Sequence, residues 1–392
     1  MDCNAIAQKY EQYVVNMRRW FHQHPEVSGK EYHTSERVKT ELDRMGIEWR
    51  DCGLETGILA TVRGAKPGRT ILLRGDMDAL TVPEETGCDY QSQNEGISHA
   101  CGHDCHTSML LTAAAIVNDM KADLVGNVVF AFQPAEEIAQ GAKSMIEHGA
   151  LEGVDACFGM HVWSEIDSGQ FAMRVGPTMA SADQFMIDVK GVGGHGATPH
   201  LCHDAVTCAC AIVQNLQQIV SREVNPVETA VVTVGTVNAG TRWNVVAENA
   251  HMEGTTRCFS YDVRDQLFEA IQRVATQTAL AHQCEAKVVI NEMAPPTVND
   301  KAVALLARES AKKILGDDCL NDYPITMGAE DFSFFQMQRP GAMAFLGVRN
   351  PDCDAVYAQH HCKYQVDEAM LIKGAQIYAQ VALDFLNQSF FY

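Results

Sequence analysis

Apolar positions in the first half of the chain gather into short runs separated by segments of helical length. "TGILATVRG" (56–64) and "TILLRGD" (70–76) read as strands, and "CHTSMLLTAAAIVNDMKAD" (105–123) reads as a helix. "GNVVFAFQP" (126–134) is a further strand, "AQGAKSMIEHGALEG" (139–153) a helix and "DACFGMHVW" (155–163) a strand. Strands alternating with helices imply an α/β layer around a largely parallel sheet. Between 182 and 294 the rhythm changes. Strand "DQFMIDVKG", helix "HDAVTCACAIVQNLQQIVSRE", strands "ETAVVTVGTVNAG" and "NVVAENAHMEGTTRCF", helix "DVRDQLFEAIQRVATQTALAHQ" and strand "CEAKVVINEM" give the order β-α-β-β-α-β. Such a split unit closes a small sheet of its own, so residues 182–294 are expected to form a domain inserted into a larger one built from 1–181 and 295–392. After 294 the pattern predicts helices near 301–315 and 367–387.

Composition narrows the function classes. The 392 residues exceed what one core usually covers, which agrees with two domains. Thirty Lys and Arg against 50 Asp and Glu leave a formal charge of -20 and no basic stripe, which excludes phosphate tracking along nucleic acid and disfavours anionic membrane surfaces. No run of about 18 apolar residues is available to span a bilayer. The N-terminal stretch lacks a basic start followed by an apolar block, so no signal peptide is expected. The fourteen cysteines are scattered without a paired framework, which suits a reducing cytoplasm better than a disulfide scaffold.

The candidate chemistry sits where the strands end. In an open parallel sheet, ligands collect beyond the carboxyl ends of the strands. "TILLRGDMD" delivers Asp76 and Asp78 there, "VVFAFQPAEE" delivers Glu136 and Glu137, and "ACFGMH" delivers His161. The stretch "SHACGHDCHTSMLL" (98–111) adds Cys101 and His103 in a loop just ahead of a helix, where amide dipoles favour a thiolate. A Cys-x-His pair alone is weak; with a carboxylate and a further His at the same edge it reads as a metal site.

The segments "LLRGDMDAL", "HACGHDCHTSML", "FQPAEE", "GMHVW", "GVGGHGATPH", "GTVNAGTRWNVVAENAHMEGTTR" and "MGAEDFSFF", in this order, resemble the M20 metallopeptidase family. More narrowly they resemble its amidohydrolase branch, the hydrolases of hippurate, N-acyl amino acids and auxin conjugates. The resemblance runs over nearly the whole chain. It implies a catalytic α/β domain with an inserted ferredoxin-like lid that also joins a homodimer. Cys101, His103, Glu137, His161 and a C-terminal His become ligands of two divalent metal ions. In "QHHCKYQVDE" the last ligand aligns with His360, with His361 beside it as the alternative; Gln359 and Cys362 depart from the family pattern. The resemblance makes Glu136 the general base, Asp78 the acid behind the ligands and Asp104 a neighbour of the ligand loop. His195 becomes an oxyanion donor reaching in from the partner subunit, and Asn244 a substrate contact. Arg242 is either a contact to a substrate carboxylate or a surface residue, and the same holds for His200 and Arg257. Glu330 is placed near the site, with helix capping as its alternative.

The donor set of one thiolate, three imidazoles and a carboxylate suits Zn and accommodates Mn, Co or Ni. The expected reaction is hydrolysis of the amide in an N-acyl amino acid. The alternatives are a dipeptidase or carboxypeptidase on the same scaffold, and a binding protein without turnover. The presence of Glu136 weighs against the last, since binding needs no general base.

Overall fold

The computed structural model describes residues 3–387. Its contacts divide the chain into two units. Among the described residues, the first comprises 3–176, 298–324 and 331–387; the second comprises 177–297 and 325–330.

The first unit is built on an eight-stranded mixed sheet. Its order is Glu48–Asp51, Ile58–Arg63, Val125–Gln133, Lys66–Asp76, Ala156–Asp167, Gly341–Arg349, Phe171–Ala172, Leu320–Asn321. The four strands at its centre, from Val125–Gln133 to Gly341–Arg349, run parallel. Their side chains divide by the two-residue period of a strand. Ile71, Leu73, Val128, Phe130, Phe132 and Phe158 enter one core, while Leu72, Val129, Ala131 and Cys157 enter another. A strand buried on both faces reads as a continuous apolar run, as "TILLRGD" does.

Helix His103–Asp119 lies in the first of these cores and packs against helices Ala369–Asn387 and Glu11–Gln23. Nearly all its side chains are buried, so it shows little amphipathic contrast. Strand Gly341–Arg349 adds to the sequence reading, which placed helices near 301–315 and 367–387 and did not identify a strand between them. "GAMAFLGVR" is buried from end to end, so it carries no alternation to mark it as a strand. The helix expected over 139–153 is helical only across Gly141–Glu147.

The second unit holds a four-stranded antiparallel sheet ordered Ala230–Ala239, Asn249–Cys258, Ala182–Lys190, Glu285–Ala294. Helices Ala205–Gln218 and Tyr261–Ala281 pack on it and on each other. Phe185, Ile187 and Val189 enter its core, whereas Gln184, Met186 and Asp188 between them do not, the pattern of a sheet covered on one face. Asp204 and Ser260 start the two helices by accepting backbone N–H groups in the first turn. Among the described residues, no helix is long and apolar enough to cross a membrane.

Candidate metal centre

Three strands and one loop bring donors to one edge of the first sheet. Lys66–Asp76 ends at Asp76, with Asp78 two residues on, and Val125–Gln133 is followed by Glu136 and Glu137. His161 lies within Ala156–Asp167, opposite Phe345 of the neighbouring strand. The loop ahead of helix His103–Asp119 supplies Cys101, and Gly102 makes the turn at φ +93°. A Cβ at Gly102 would meet Val162 Cγ2 at 2.5 Å and Tyr364 Oη at 2.9 Å, so only glycine fits there.

Asp78 organises the centre. Its Oδ1 lies 3.2 Å from His103 Nδ1 and accepts the Glu136 N–H at 3.1 Å. Its Oδ2 accepts the Glu137 N–H at 3.1 Å and the Ser28 hydroxyl at 2.6 Å. His103 therefore donates from Nδ1 and presents Nε2, which is buried without a hydrogen-bond partner. The same holds for Glu137 Oε1, which lies 3.8 Å from His103 Nε2 and 3.7 Å from His360 Nε2. Two orphaned buried acceptors facing each other are costly unless a cation sits with them.

His161 is prepared in the same way. Its Nδ1 donates to the Val162 carbonyl at 2.6 Å, so Nε2 faces Cys101 Sγ, 3.4 Å away. Burial drives its imidazole well below the ordinary value and keeps the ring neutral. Burial, and then the Glu137 carboxylate, push the Cys101 thiol well above its ordinary value. One ligand atom each from Cys101, His103 and His161 lies within 4.8 Å of the others, and so do those of Cys101, Glu137 and His360 and of His103, Glu136 and Glu137.

The two adjacent histidines differ. His360 takes a left-handed backbone, φ +67°, and its N–H donates to the Ala100 carbonyl at 2.8 Å, tying it to the Cys101 loop. His361 stacks on Tyr357 and uses Nδ1 to accept the Lys363 N–H. Both nitrogens of His106 are engaged: Nδ1 with Asp76 Oδ1 at 2.5 Å, and Nε2 accepting the Val162 N–H at 2.9 Å. His106 thus braces the site without a free donor. Burial disfavours the Asp76 carboxylate, but Arg74, His103 and His106 outweigh it and hold the group well below the usual range.

In the second unit, His195 and Asn244 are neighbours. His195 pairs with Val245 across a two-stranded ribbon, and Gly196 N–H donates to the Asn244 carbonyl at 2.9 Å. The Ala197 N–H donates to His195 Nδ1 at 3.0 Å, leaving an exposed Nε2–H as a donor. Asn244 Oδ1 is buried without a hydrogen-bond partner. Exposed Arg242 lines a groove of about 570 Å³ together with Trp243 and Asp204. Glu330 falls in the 325–330 segment of this unit and is buried.

Glu31 escaped the sequence reading. It is fully buried; Oε1 accepts the N–H groups of Gly29 and Ala135, and Oε2 accepts the Thr56 hydroxyl. Ala135 sits at φ +54°, so Glu31 stabilises the strained turn that presents Glu136 and Glu137. Only its burial and these three bonds mark Glu31, and the sequence shows no such signal.

Residues 72–384 match the model of Peptidase family M20/M25/M40. An N-acetyl-L-cysteine deacetylase of Bacillus subtilis (strain 168) is 38% identical over 97% of this chain and 89% of its own length. Thermostable carboxypeptidase 1 of Saccharolobus solfataricus is also 38% identical, over 97% of this chain and 98% of its own. Among solved structures, a dinuclear metal-binding M20 peptidase from Bacillus subtilis superposes with a TM-score of 0.84 at 34% identity, covering 97% of this chain and 99% of that one. The donors gathered at the sheet edge and the match across most of the sequence lead to one assignment: the chain belongs to peptidase family M20/M25/M40.

Proposed function

We propose that the protein is a metal-dependent amidohydrolase that cleaves N-acyl amino acids to a carboxylic acid and a free amino acid. The observation that carries this reading is the convergence of Cys101, His103, Glu137, His161 and His360, with Glu136 alongside. These residues fit two divalent ions, because His103 Nε2 and Glu137 Oε1 are buried acceptors without a hydrogen-bond partner. When bound, such ions, Zn or else Mn, Co or Ni, polarise the amide carbonyl and acidify water.

The chain's own residues supply the rest. Glu136 accepts the proton of the attacking water and returns it to the leaving amine. Asp78 fixes the His103 tautomer and, through two backbone N–H groups, the positions of both glutamates. His195 donates from Nε2 to the developing oxyanion, and Asn244 contacts the substrate. Arg242 is assigned to the substrate carboxylate, and Glu330 to the pocket edge. In this reading the domain 182–294, set into the catalytic domain of 1–181 and 295–392, is a ferredoxin-like lid. It joins a homodimer in which His195 serves the partner subunit. Strand Ala230–Ala239 at the edge of its sheet and Trp243, 91% exposed, support the lid as the joining surface.

Carboxypeptidase activity is the second reading, favoured by the equal identity to the archaeal carboxypeptidase. The two separate on substrate. N-acetyl and N-benzoyl amino acids, their carboxyl-amidated forms and free dipeptides are assayed side by side with the metal-loaded protein. The amidohydrolase reading requires turnover of the acyl amino acids, with carboxylate masking costing far more in kcat/KM than a change of acyl group. Cleavage of free dipeptides alone would move the function to the dipeptidase or carboxypeptidase alternative instead.

A further inference from the structure

A second set of mixed donors converges in the first unit, away from the Cys101 group. His22, on helix Glu11–Gln23, is 2% exposed, and its Nε2 lies 3.1 Å from Glu84 Oε1. Cys88 Sγ lies 3.8 Å from the same oxygen. One ligand atom from each of the three residues falls within 4.8 Å of the others. Zinc at its usual bond lengths, in tetrahedral geometry, places a bound N and O about 3.4 Å apart and a bound O and S about 3.6 Å apart. Both observed separations lie within about 0.3 Å of those edges.

The surroundings hold each donor in place. His22 Nδ1 is 2.7 Å from Asp104 Oδ2, so a carboxylate orients the ring from behind, as it does for most metal-bound histidines. Arg18 Nε pairs with that same Asp104 oxygen at 2.8 Å, which leaves Asp104 committed on the far side. The Ser92 N–H donates to Glu84 Oε2 at 2.7 Å, leaving Oε1 turned toward His22 and Cys88. The Thr86 hydroxyl donates to that same Glu84 Oε1 and lies 3.4 Å from Cys88 Sγ. Cys88 is half-buried, whereas the Glu84 side chain is 6% exposed and that of His22 3%. A simple ion pair of His22 with Glu84 would need no third donor; the thiol completes a set of N, O and S.

We propose that His22, Glu84 and Cys88 form a further divalent-metal site, suited to zinc, that is distinct from the Cys101 centre. Binding is an exchange: the ion enters, and the Nε2 proton of His22 and the thiol proton of Cys88 leave to solvent. Asp104 connects the two places, because it orients His22 and directly follows His103 in the helix that opens the main centre. An ion here therefore holds the start of that helix.

Equilibrium dialysis of the full chain against Zn²⁺, followed by elemental analysis, tests the site. Wild type should retain about one zinc equivalent more than Cys88→Ala or Glu84→Gln. Cys101→Ala should lose metal from the main centre yet keep the Cys88-dependent equivalent. In Co²⁺-loaded Cys101→Ala, a thiolate-to-cobalt charge-transfer band should persist and should vanish in the Cys101→Ala/Cys88→Ala double variant. Equal zinc counts in wild type and Cys88→Ala, or no such band in Cys101→Ala, would overturn the proposal. If Cys88→Ala fails to fold, the cobalt spectrum of Cys101→Ala decides by itself. Unchanged zinc in Cys101→Ala, with loss confined to Cys88→Ala, would count against the main centre and leave this site standing.

Discussion

His103 Nδ1 lies 3.2 Å from Asp78 Oδ1, and the same carboxylate accepts the backbone N–H of both Glu136 and Glu137. One buried acid thus aligns an imidazole from a helix with two carboxylates from a strand end. The position of the proposed base depends on Asp78 as much as on its own chain.

Glu136→Gln should retain fold and metal while kcat falls by at least about 10²-fold, the usual scale for a lost general base. Steady-state kinetics with parallel metal analysis checks this. Loss of metal comparable to that in Glu137→Gln would mean that the two roles are reversed.

His360→Ala should lower metal content and His361→Ala should not, because only His360 faces Glu137 Oε1 while His361 accepts from Lys363. Cys101→Ser should also bind metal more weakly, since a hydroxyl replaces thiolate poorly. Dialysis against a graded chelator, read by elemental analysis, ranks the variants. Metal loss in His361→Ala alone would move the ligand by one residue.

Arg74 is buried with Asp76 Oδ2 at 2.6 Å and Asp331 Oδ1 at 2.9 Å, and Asp331 also accepts from Gln133 and the Ala142 N–H. Asp331→Ala leaves these donors short of a partner and should cost on the order of 3 kcal/mol. Urea unfolding measures it as a lower midpoint at unchanged slope. A shift below about 0.5 kcal/mol would show that the group is not a stabilising network.

The His22 and Glu84 pair sets a pH window in the metal-free protein. Burial and Arg18 oppose the charged imidazole, yet hydrogen bonds to Asp104, Cys88 and Glu84 outweigh them and raise His22 from 6.5 to about 10. Burial likewise opposes the Glu84 carboxylate, but the hydrogen bond to His22, ahead of its charge and the Ser92 N–H, lowers it from 4.5 to about 2. A raised imidazole stabilises fully below the unfolded value and loses that contribution as pH rises through the folded one; a lowered carboxyl stabilises above its unfolded value and loses it on acidification. The pair therefore contributes fully between about pH 4.5 and 6.5, fading toward 10 and toward 2. The stability gap between wild type and His22→Gln, measured in chelator across pH, should be widest in that window. A gap that does not narrow on the alkaline side would contradict it.

The sequence by itself determined which residues face which core in the central strands. In "TILLRGD" the alternation of a strand sends Ile71 and Leu73 one way and Leu72 the other, whatever the neighbours are. It also determined the donor types at the strand ends, because Asp76, Asp78, Glu136, Glu137 and His161 follow apolar runs whose direction in a parallel sheet is shared. Strand Gly341–Arg349 was not legible, since burial on both faces erases the alternation that identifies a strand. Tertiary structure alone decided which histidines keep a free nitrogen. The sequence marks His161 by its strand end, but a ring's availability depends on partners that only the fold brings to it. His106 is spent on Asp76 and Val162, whereas His161 turns Nε2 toward Cys101 once the Val162 carbonyl holds Nδ1. His22 faces Glu84 once Asp104, 82 residues away, has taken its other side. Local pattern sets the face a side chain occupies, but hydrogen bonds closed only in the folded chain set which of its atoms remain free for chemistry.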